Sequence, residues 1–187
     1  MSLKVIGGGF KGKKLVSPRG LTVRPTAGRV REAIFNILGA AIDQTVVLDL
    51  FAGTGALGIE ALSRGAGRVV FVDSSRASRD IVRQNITACG IQEQSLVLGR
   101  DATRNLSGLL PDLSVFDLVL MDPPYRSGIS GKALLVLAKS GFISSGTIII
   151  MEHGAKEATG NVPDCFYQTD RRKYGETIVS FLRYVVP

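Results

Sequence analysis

The chain has 187 residues, of which 45% are hydrophobic and 21% charged, a composition typical of one soluble globular domain. Two cysteines without metal-type spacing and a single histidine, His153, argue against a disulfide framework, a multi-histidine metal site and a Ser-His-Asp hydrolase. No apolar run is long enough to span a bilayer and the amino end has no signal-peptide pattern, so we expect a cytoplasmic protein with no membrane contact and no metal.

The net charge of +7 is concentrated at the amino end. Residues 1–31 contain eight basic and no acidic side chains, whereas the rest of the chain is nearly balanced. A charge run is often only a solvated surface. Here the charges alternate with glycines and apolar residues, which is typical of a structured arm that binds phosphates. The residues predicted to contact RNA are Lys11, Lys13, Lys14, Arg24 and Arg31.

The first predicted elements are a small hairpin and a helix. Residues 3–6 and 14–17 are short strand candidates joined by a glycine-rich turn. A helix follows, because apolar residues recur at helical spacing between a cap at Thr26 and a stop at Gly39. We treat residues 1–40 as an extension of a single domain that occupies the whole chain.

The core of that domain, residues 41–187, alternates short apolar strands with amphipathic helices. Five strands with intervening helices imply a parallel sheet covered by helices on both faces, since parallel strands need such crossovers. Two later segments flank a charged turn and are predicted to form an antiparallel pair. The predicted strands are 46–50, 68–72, 95–98, 116–121, 147–151, 165–169 and 177–184, and the predicted core helices are 56–64, 76–89 and 132–139.

A glycine-rich motif, Gly53-Thr54-Gly55-Ala56-Leu57-Gly58, lies between the first of these strands and a helix. Glycines let the backbone turn sharply and approach a ligand closely, and the start of a helix offers free N–H groups. The motif alone does not distinguish NAD from other adenosine cofactors.

Three acidic residues extend this predicted cofactor site. Asp49, Asp73 and Asp101 lie at the ends of successive strands, where open α/β sheets bind ligands. Asp49 could hold the turn and the cofactor's ammonium group, Asp73 the ribose hydroxyls, and Asp101 the adenine amino group. Each acid alone could equally be a helix cap or a solvated loop residue. The predicted cofactor residues are Asp49, Phe51, Gly53, Gly55, Asp73, Asp101 and Ala102.

The predicted chemical site is Asp122-Pro123-Pro124-Tyr125, after the fourth strand. The two prolines fix two φ angles and leave carbonyl acceptors in a stiff loop. The Asp122 carboxylate and the Pro123 carbonyl could accept both N–H groups of a conjugated amine, so that its lone pair faces the methyl of S-adenosylmethionine. If the amine belongs to a nucleic-acid base that is flipped out of its stack, Tyr125 could stack on that base. The alternative is a structural Pro-Pro turn with Tyr125 in the core.

Together these residues resemble the RsmD-type methyltransferases. The resemblance is carried by Arg24-Pro25-Thr26, by Arg29-Val30-Arg31-Glu32-Ala33-Ile34-Phe35-Asn36, by the stretch from Asp49 to Gly58, by Glu60-Ala61-Leu62-Ser63-Arg64-Gly65-Ala66 and by Asp122-Pro123-Pro124-Tyr125. It implies a Rossmann-like class I fold, in which a mostly parallel seven-stranded sheet has an antiparallel carboxy-terminal strand. It also implies S-adenosylmethionine as methyl donor.

The same resemblance implies methylation of N2 of a guanine in bacterial 16S rRNA, of the guanine 966 type. The partner would be the small ribosomal subunit or an assembly intermediate, and we expect a monomer. A DNA adenine-N6 methyltransferase, a protein-glutamine N5 methyltransferase, a non-catalytic nucleotide- or RNA-binding module and an NAD oxidoreductase are the alternatives. The loop at Asp122 disfavours the last two, and the basic amino end favours RNA.

Overall fold

The computed structural model describes residues 2–18, 25–109, 115–124, 128–155 and 162–185. Two residues predicted for the site, Arg24 and Tyr125, lie outside these ranges. Nowhere in the described ranges does a helix have the length and apolar character that crossing a membrane requires.

The described residues form one seven-stranded sheet with four α-helices. The helices are α1 Pro25–Leu38, α2 Ala56–Ser63, α3 Arg76–Cys89 and α4 Ile129–Ala138. The strands are β1 Val46–Leu50, β2 Arg68–Val72, β3 Ser95–Leu98, β4 Leu118–Met121, β5 Ile148–Gly154, β6 Phe166–Tyr174 and β7 Thr177–Tyr184. Their order is β3-β2-β1-β4-β5-β7-β6, with β1 to β5 parallel and β7 antiparallel to both of its neighbours. The predicted α/β class and the antiparallel last strand are confirmed.

The central strands are nearly continuous apolar runs because both faces of the sheet are covered. On one face, Ile34 of α1, Ile59 of α2 and Val82 of α3 belong to a core cluster. On the other face, Leu134 and Leu137 of α4 belong to a second cluster. The order of strands reverses between β1 and β4, which places a crevice beyond the carboxyl ends of these two strands.

The amino-terminal segment, residues 2–18, has the antiparallel pairing of the predicted hairpin but not its two regular strands. It contains one isolated bridge, between Lys4 and Lys14, and a short 3-10 helix over Gly8–Phe10 instead of two strands. Antiparallel backbone bonds still join its two arms, from the N–H of Val5 to the carbonyl of Lys13 at 3.0 Å and from the N–H of Leu15 to the carbonyl of Leu3 at 2.9 Å. Other backbone donors bond to side chains of the core helices, so the pairing stays too short for two regular strands. Helix α1 begins at Pro25, so Thr26 lies inside this helix and does not cap it. Proline suits the first helical position because the N–H group it lacks would have no partner there.

Side chains of α2 and α3 hold the amino-terminal segment. The fully buried Glu60 accepts hydrogen bonds from the N–H groups of Ile6 and Gly7, each at 2.8 Å. Asn85 accepts from the N–H of Val16 at 2.6 Å and donates to the Val16 carbonyl at 3.0 Å. Asn85 also donates to the carbonyl of Thr54 at 2.9 Å, so it joins this segment to the glycine-rich turn.

Candidate active site

The glycine-rich turn leaves β1 through a run of left-handed backbone conformations. Phe51, Gly53 and Gly55 have φ angles of 60°, 57° and 76°. Such angles are easy for glycine and strained for Phe51, and strain of this kind is typical of functional sites. Gly58 is needed for another reason, because a Cβ atom there would lie 2.3 Å from the ring of Phe71. The turn therefore combines exposed backbone with close packing of α2 on the sheet.

Asp49 lies under this turn with only 1% of its surface exposed. Its Oδ2 accepts a hydrogen bond from the N–H of Gly58 at 3.0 Å, which ties the strand to the first turn of α2. Burial raises the pKa of Asp49 well above its usual range, and the negative charges of Asp122 and Asp73 act in the same direction. A cationic group next to Asp49 would reverse this effect.

Asp73 follows β2 and bonds to the turn from the side. Its Oδ2 accepts from the N–H of Gly53 at 2.9 Å, and its Oδ1 accepts from the N–H of Ser75 at 2.8 Å. The residue is half-buried, and each carboxylate oxygen keeps a second lone pair. It is thus fixed in position while still able to accept hydrogen bonds from hydroxyl groups.

Asp101 is engaged in a local turn after β3. Its Oδ1 accepts from the hydroxyl and the N–H of Thr103, at 2.7 and 2.9 Å, and these bonds lower the pKa of Asp101. Its Oδ2 lies 3.2 Å from Nε of Arg104. The adjacent Ala102 is buried in the same core cluster that the half-buried Phe51 contacts. The structure thus shows Asp101 holding this turn, and its predicted contact with adenine remains a prediction.

The loop after β4 begins with Asp122, which is exposed, and Pro123, which is buried. Although part of Asp122 reaches solvent, the surrounding protein limits the water around its carboxylate. This desolvation, followed by the negative charge of Glu152, raises the pKa of Asp122 to about 7. Leu50 of β1 pairs with Met121 of β4, so the turn and the loop leave neighbouring strands at the same edge of the sheet, and the negative charge of Asp122 acts on Asp49. Tyr125 lies outside the described residues.

Glu152 borders the candidate site, and the sequence did not reveal it. It lies in β5 one position after Met151, which pairs with Met121 of β4, so it is next to the start of the Asp122 loop. The only signal in the sequence is an acidic residue within the apolar segment that forms the end of β5. No three His, Cys, Asp or Glu side chains among the described residues form a group that could hold a metal ion.

The basic residues of the amino end divide into two groups. Lys11, Lys13 and Lys14 are exposed. Arg31 is only 6% exposed and points inward: its Nη2 donates to the carbonyl of Lys4 at 2.6 Å, and its Nε lies 3.6 Å from Oε2 of Glu60. The prediction that Arg31 contacts RNA therefore does not fit the structure, because its guanidinium is used inside the protein. Arg24 lies outside the described residues.

Comparisons with known proteins agree with this geometry. The family model described as Conserved hypothetical protein 95 matches residues 3–183. YlbH of Bacillus subtilis (strain 168) is 32% identical over 181 residues, which cover 97% of this chain and 98% of YlbH. Ribosomal RNA small subunit methyltransferase D of Escherichia coli (strain K12) is 32% identical over 161 residues, which cover 86% of this chain and 79% of that protein. The solved structure of YhhF from Escherichia coli has a TM-score of 0.86 at 25% identity, with both chains covered completely. The chain therefore belongs to the Conserved hypothetical protein 95 family, that of the RsmD-type methyltransferases, and is itself a methyltransferase.

Proposed function

We propose that this methyltransferase moves a methyl group from S-adenosylmethionine to the exocyclic N2 of a guanine in 16S rRNA, of the guanine 966 type. The observation that carries the proposal is the placement of Asp122, with two prolines behind it, at the crevice that Asp49 and the glycine-rich turn also line. The small subunit or an assembly intermediate would be the natural partner, and we propose a cytoplasmic monomer as the working form.

The residues around the turn fit S-adenosylmethionine. A nearby cation would favour the charged form of the buried Asp49 carboxylate, and the ammonium group of this cofactor would supply one. Asp73 keeps lone pairs for the two ribose hydroxyls, and Gly53 and Gly55 allow close approach of the backbone. Phe51, Asp101 and Ala102 would lie toward the adenine. When bound, S-adenosylmethionine supplies a methyl group already activated by its sulfonium, so the reaction needs no metal.

The residues after β4 suit an aromatic amine as acceptor. The lone pair of such an amine is delocalised into the ring, which makes it a poor nucleophile. The Asp122 carboxylate and the Pro123 carbonyl would accept its two N–H groups and hold the nitrogen in a reactive geometry. With a pKa of about 7, the Asp122 carboxylate can also take the proton that the nitrogen loses. We assign Pro124 to the stiffness of this loop and Tyr125 to stacking of the flipped base.

RNA as the acceptor is supported by the exposed lysines of the amino-terminal segment. Lys11, Lys13 and Lys14 form a positive surface on a segment that is tied through Asn85 to the cofactor turn. Phosphate contacts from such a surface would position RNA without reading its sequence. The curated relative from Escherichia coli is named as a ribosomal RNA small subunit enzyme, which favours the same acceptor here.

Methyl transfer from labelled S-adenosylmethionine tests the proposal. Small subunits, naked RNA, DNA and protein extract are offered separately, and the methylated product is digested and identified. We expect N2-methylguanosine, from subunits or their RNA. Asp122→Ala should nearly abolish turnover and leave cofactor binding intact, whereas the exposed Asp164 provides a matched control, Asp164→Ala, with normal turnover. Label found only in DNA or only in protein would overturn the proposal.

A further inference from the structure

We propose that Glu152 is a specificity-determining residue of the acceptor pocket, placed beside Asp122 so that its carboxylate accepts the ring N–H adjacent to the methylated amine. In guanine the N2 amine is flanked by the N1–H donor. In adenine and cytosine the amine is flanked by a ring nitrogen that carries a lone pair. The inference rests on the proposed function, because it concerns the choice of base at that same site.

The position of Glu152 follows from strand register. Leu118 and Leu120 of β4 pair with Ile148 and Ile150 of β5, and most of these side chains belong to the core cluster beneath α1, α2 and α3. Side chains alternate between the faces of a strand, so Glu152 continues this face two residues beyond Ile150. Strand β4 ends at Met121, whereas β5 continues to Gly154. Glu152 therefore lies on the part of β5 that borders the loop of Asp122.

The backbone of Glu152 is held rigidly. On the side away from β4, Glu152 pairs with Val179 of β7, and the next residue, His153, pairs with Ile178. His153 is 2% exposed, and its Nε2 lies 2.9 Å from Oγ of Ser180. A residue fixed in this way can discriminate between ligands, because it cannot easily move to suit the wrong one.

The charges around Glu152 explain how a second carboxylate can stay next to Asp122. Glu152 helps to raise the pKa of Asp122, so the two groups interact. Burial lowers the pKa of Arg31 of α1, while the negative charges of Glu60 and, to a smaller extent, Glu152 act in the opposite direction, so Arg31 supplies positive charge on this side of the pocket. The buried Nε of Arg31 has no hydrogen-bond partner within the described ranges, and its Nη2 donates to the carbonyl of Lys4. Arg31 is thus a positioning residue behind the pocket rather than an RNA contact.

The chemistry of the two carboxylates matches the donor pattern of guanine. Asp122 would take the amine, and Glu152 would take N1–H through a charge-assisted hydrogen bond. A base with a lone pair at that position would face a carboxylate without a proton between them, which is repulsive and leaves polar groups unpaired. A site that hydrogen-bonds an N–H group of its substrate strongly rejects analogues that lack this group. An apolar pocket discriminates far less between ligands that differ only in shape.

A purine analogue and a conservative variant test this inference. The RNA acceptor is prepared with guanosine or with 2-aminopurine riboside at the target position. 2-Aminopurine has the same amine but a ring lone pair in place of N1–H. Wild-type enzyme should prefer guanine. In Glu152→Gln the amide can donate to the ring lone pair of 2-aminopurine. The ratio of kcat/KM for guanine to kcat/KM for 2-aminopurine should therefore fall by about tenfold or more in this variant. Glu93→Gln, a change at an exposed carboxylate before β3, should keep the wild-type ratio.

Comparing the two ratios separates recognition of the base from the stability of the variant and from the intrinsic reactivity of each amine. Any difference in amine reactivity between the two bases affects wild type and variant equally, and a merely structural role for Glu152 would lower both rates without changing their ratio. An unchanged ratio in Glu152→Gln overturns the inference. If that variant does not fold, the wild type still decides, because equal methylation of both bases also overturns it. Absence of guanine methylation by the wild type in any RNA would instead reject the proposed function itself.

Discussion

At the scale of single residues, the candidate site contains two carboxyl groups, those of Asp49 and Asp122, whose pKa values are raised in the folded protein. Asp49 is the more deeply buried of the two, and its pKa is raised above that of an unfolded chain. A raised pKa means that the folded state binds the proton more tightly than the unfolded state does. Asp49 therefore subtracts from stability as the pH rises above about 3.9, the ordinary value for aspartate.

The variant Asp49→Asn tests this cost. Asparagine keeps an oxygen that can accept from the N–H of Gly58 but has no charge to bury. We expect a free energy of unfolding in urea at pH 7 that equals or exceeds that of the wild type, together with an affinity for S-adenosylmethionine that is lower by about 10–100-fold. A variant that is clearly less stable yet binds the cofactor normally would show that Asp49 serves only the fold.

The pH dependence of methyl transfer should report Asp122. Its carboxylate must be ionised to accept both the amine hydrogen bond and the proton, and its pKa is about 7. The value of kcat/KM should consequently fall by about tenfold per pH unit below 7 and level off above it. The neighbouring acids that face Asp122 are Glu152 and Asp49, so Glu152→Gln should shift the midpoint to lower pH. A flat profile between pH 6 and 8 would contradict the role given to Asp122.

At the scale of elements, the amino-terminal segment depends on glycine where it meets α2. Gly8 has a φ of +72°, and a Cβ atom there would lie 1.7 Å from the carbonyl oxygen of Ser63. Gly12 has a similar φ of +85° but open space around it. Both Gly→Ala variants should lose about 1–2 kcal/mol from the left-handed backbone. Gly8→Ala should lose about 1–3 kcal/mol more because the segment must shift away from α2.

Urea unfolding of the two variants, with proteolysis at the exposed lysines as a second probe, measures this difference. Gly12→Ala serves as the control for backbone strain alone. Equal losses in the two variants would mean that contact with Ser63 does not hold the segment, and that the bonds to Glu60 and Asn85 suffice.

The same elements show what sequence patterns can and cannot predict. The strands β1, β2 and β3 and the helix α3 were predicted to the residue because each is a local apolar pattern with clear ends. The antiparallel pairing within the amino-terminal segment was predicted, but its bonds to Glu60 and Asn85 were not, because these two residues lie more than 50 positions away in the sequence. Pairing over such distances leaves no local pattern.

Side-chain direction was the other source of error. Arg31 was grouped with the exposed lysines because basic residues look alike in sequence, yet it lies on the face of α1 that turns toward Glu60. Glu152 was missed because one acidic residue in an apolar strand forms no motif, and its importance appears only when β5 is placed beside β4. Predicted site residues such as Asp73 lie in short motifs at strand ends, and the topology of the sheet alone brings these ends together.

At the scale of the whole molecule, the basic amino-terminal segment lies on one side of the sheet. The amino-terminal segment packs with α2 and α3, whereas α4 covers the opposite face. If RNA phosphates bind the segment, then removing charge there should weaken binding, and removing the same charge from α4 should not. The double variant Lys11→Gln with Lys14→Gln should bind RNA with a weaker salt dependence. The slope of the logarithm of the RNA-binding constant against the logarithm of the salt concentration should fall in magnitude by about 1.5, since each lost phosphate contact removes about 0.7–0.9.

The control for this prediction is the double variant Lys132→Gln with Lys139→Gln. Both lysines are exposed; Lys132 lies in α4 and Lys139 directly follows it. Both double variants lower the net charge by the same amount, so a difference between them reflects where the charge lies rather than how much there is. Binding of small-subunit RNA is measured over a range of salt concentrations for both. If the two slopes fall equally, the RNA responds to the overall field of the protein, and the segment that Glu60 and Asn85 hold in place is not its docking surface.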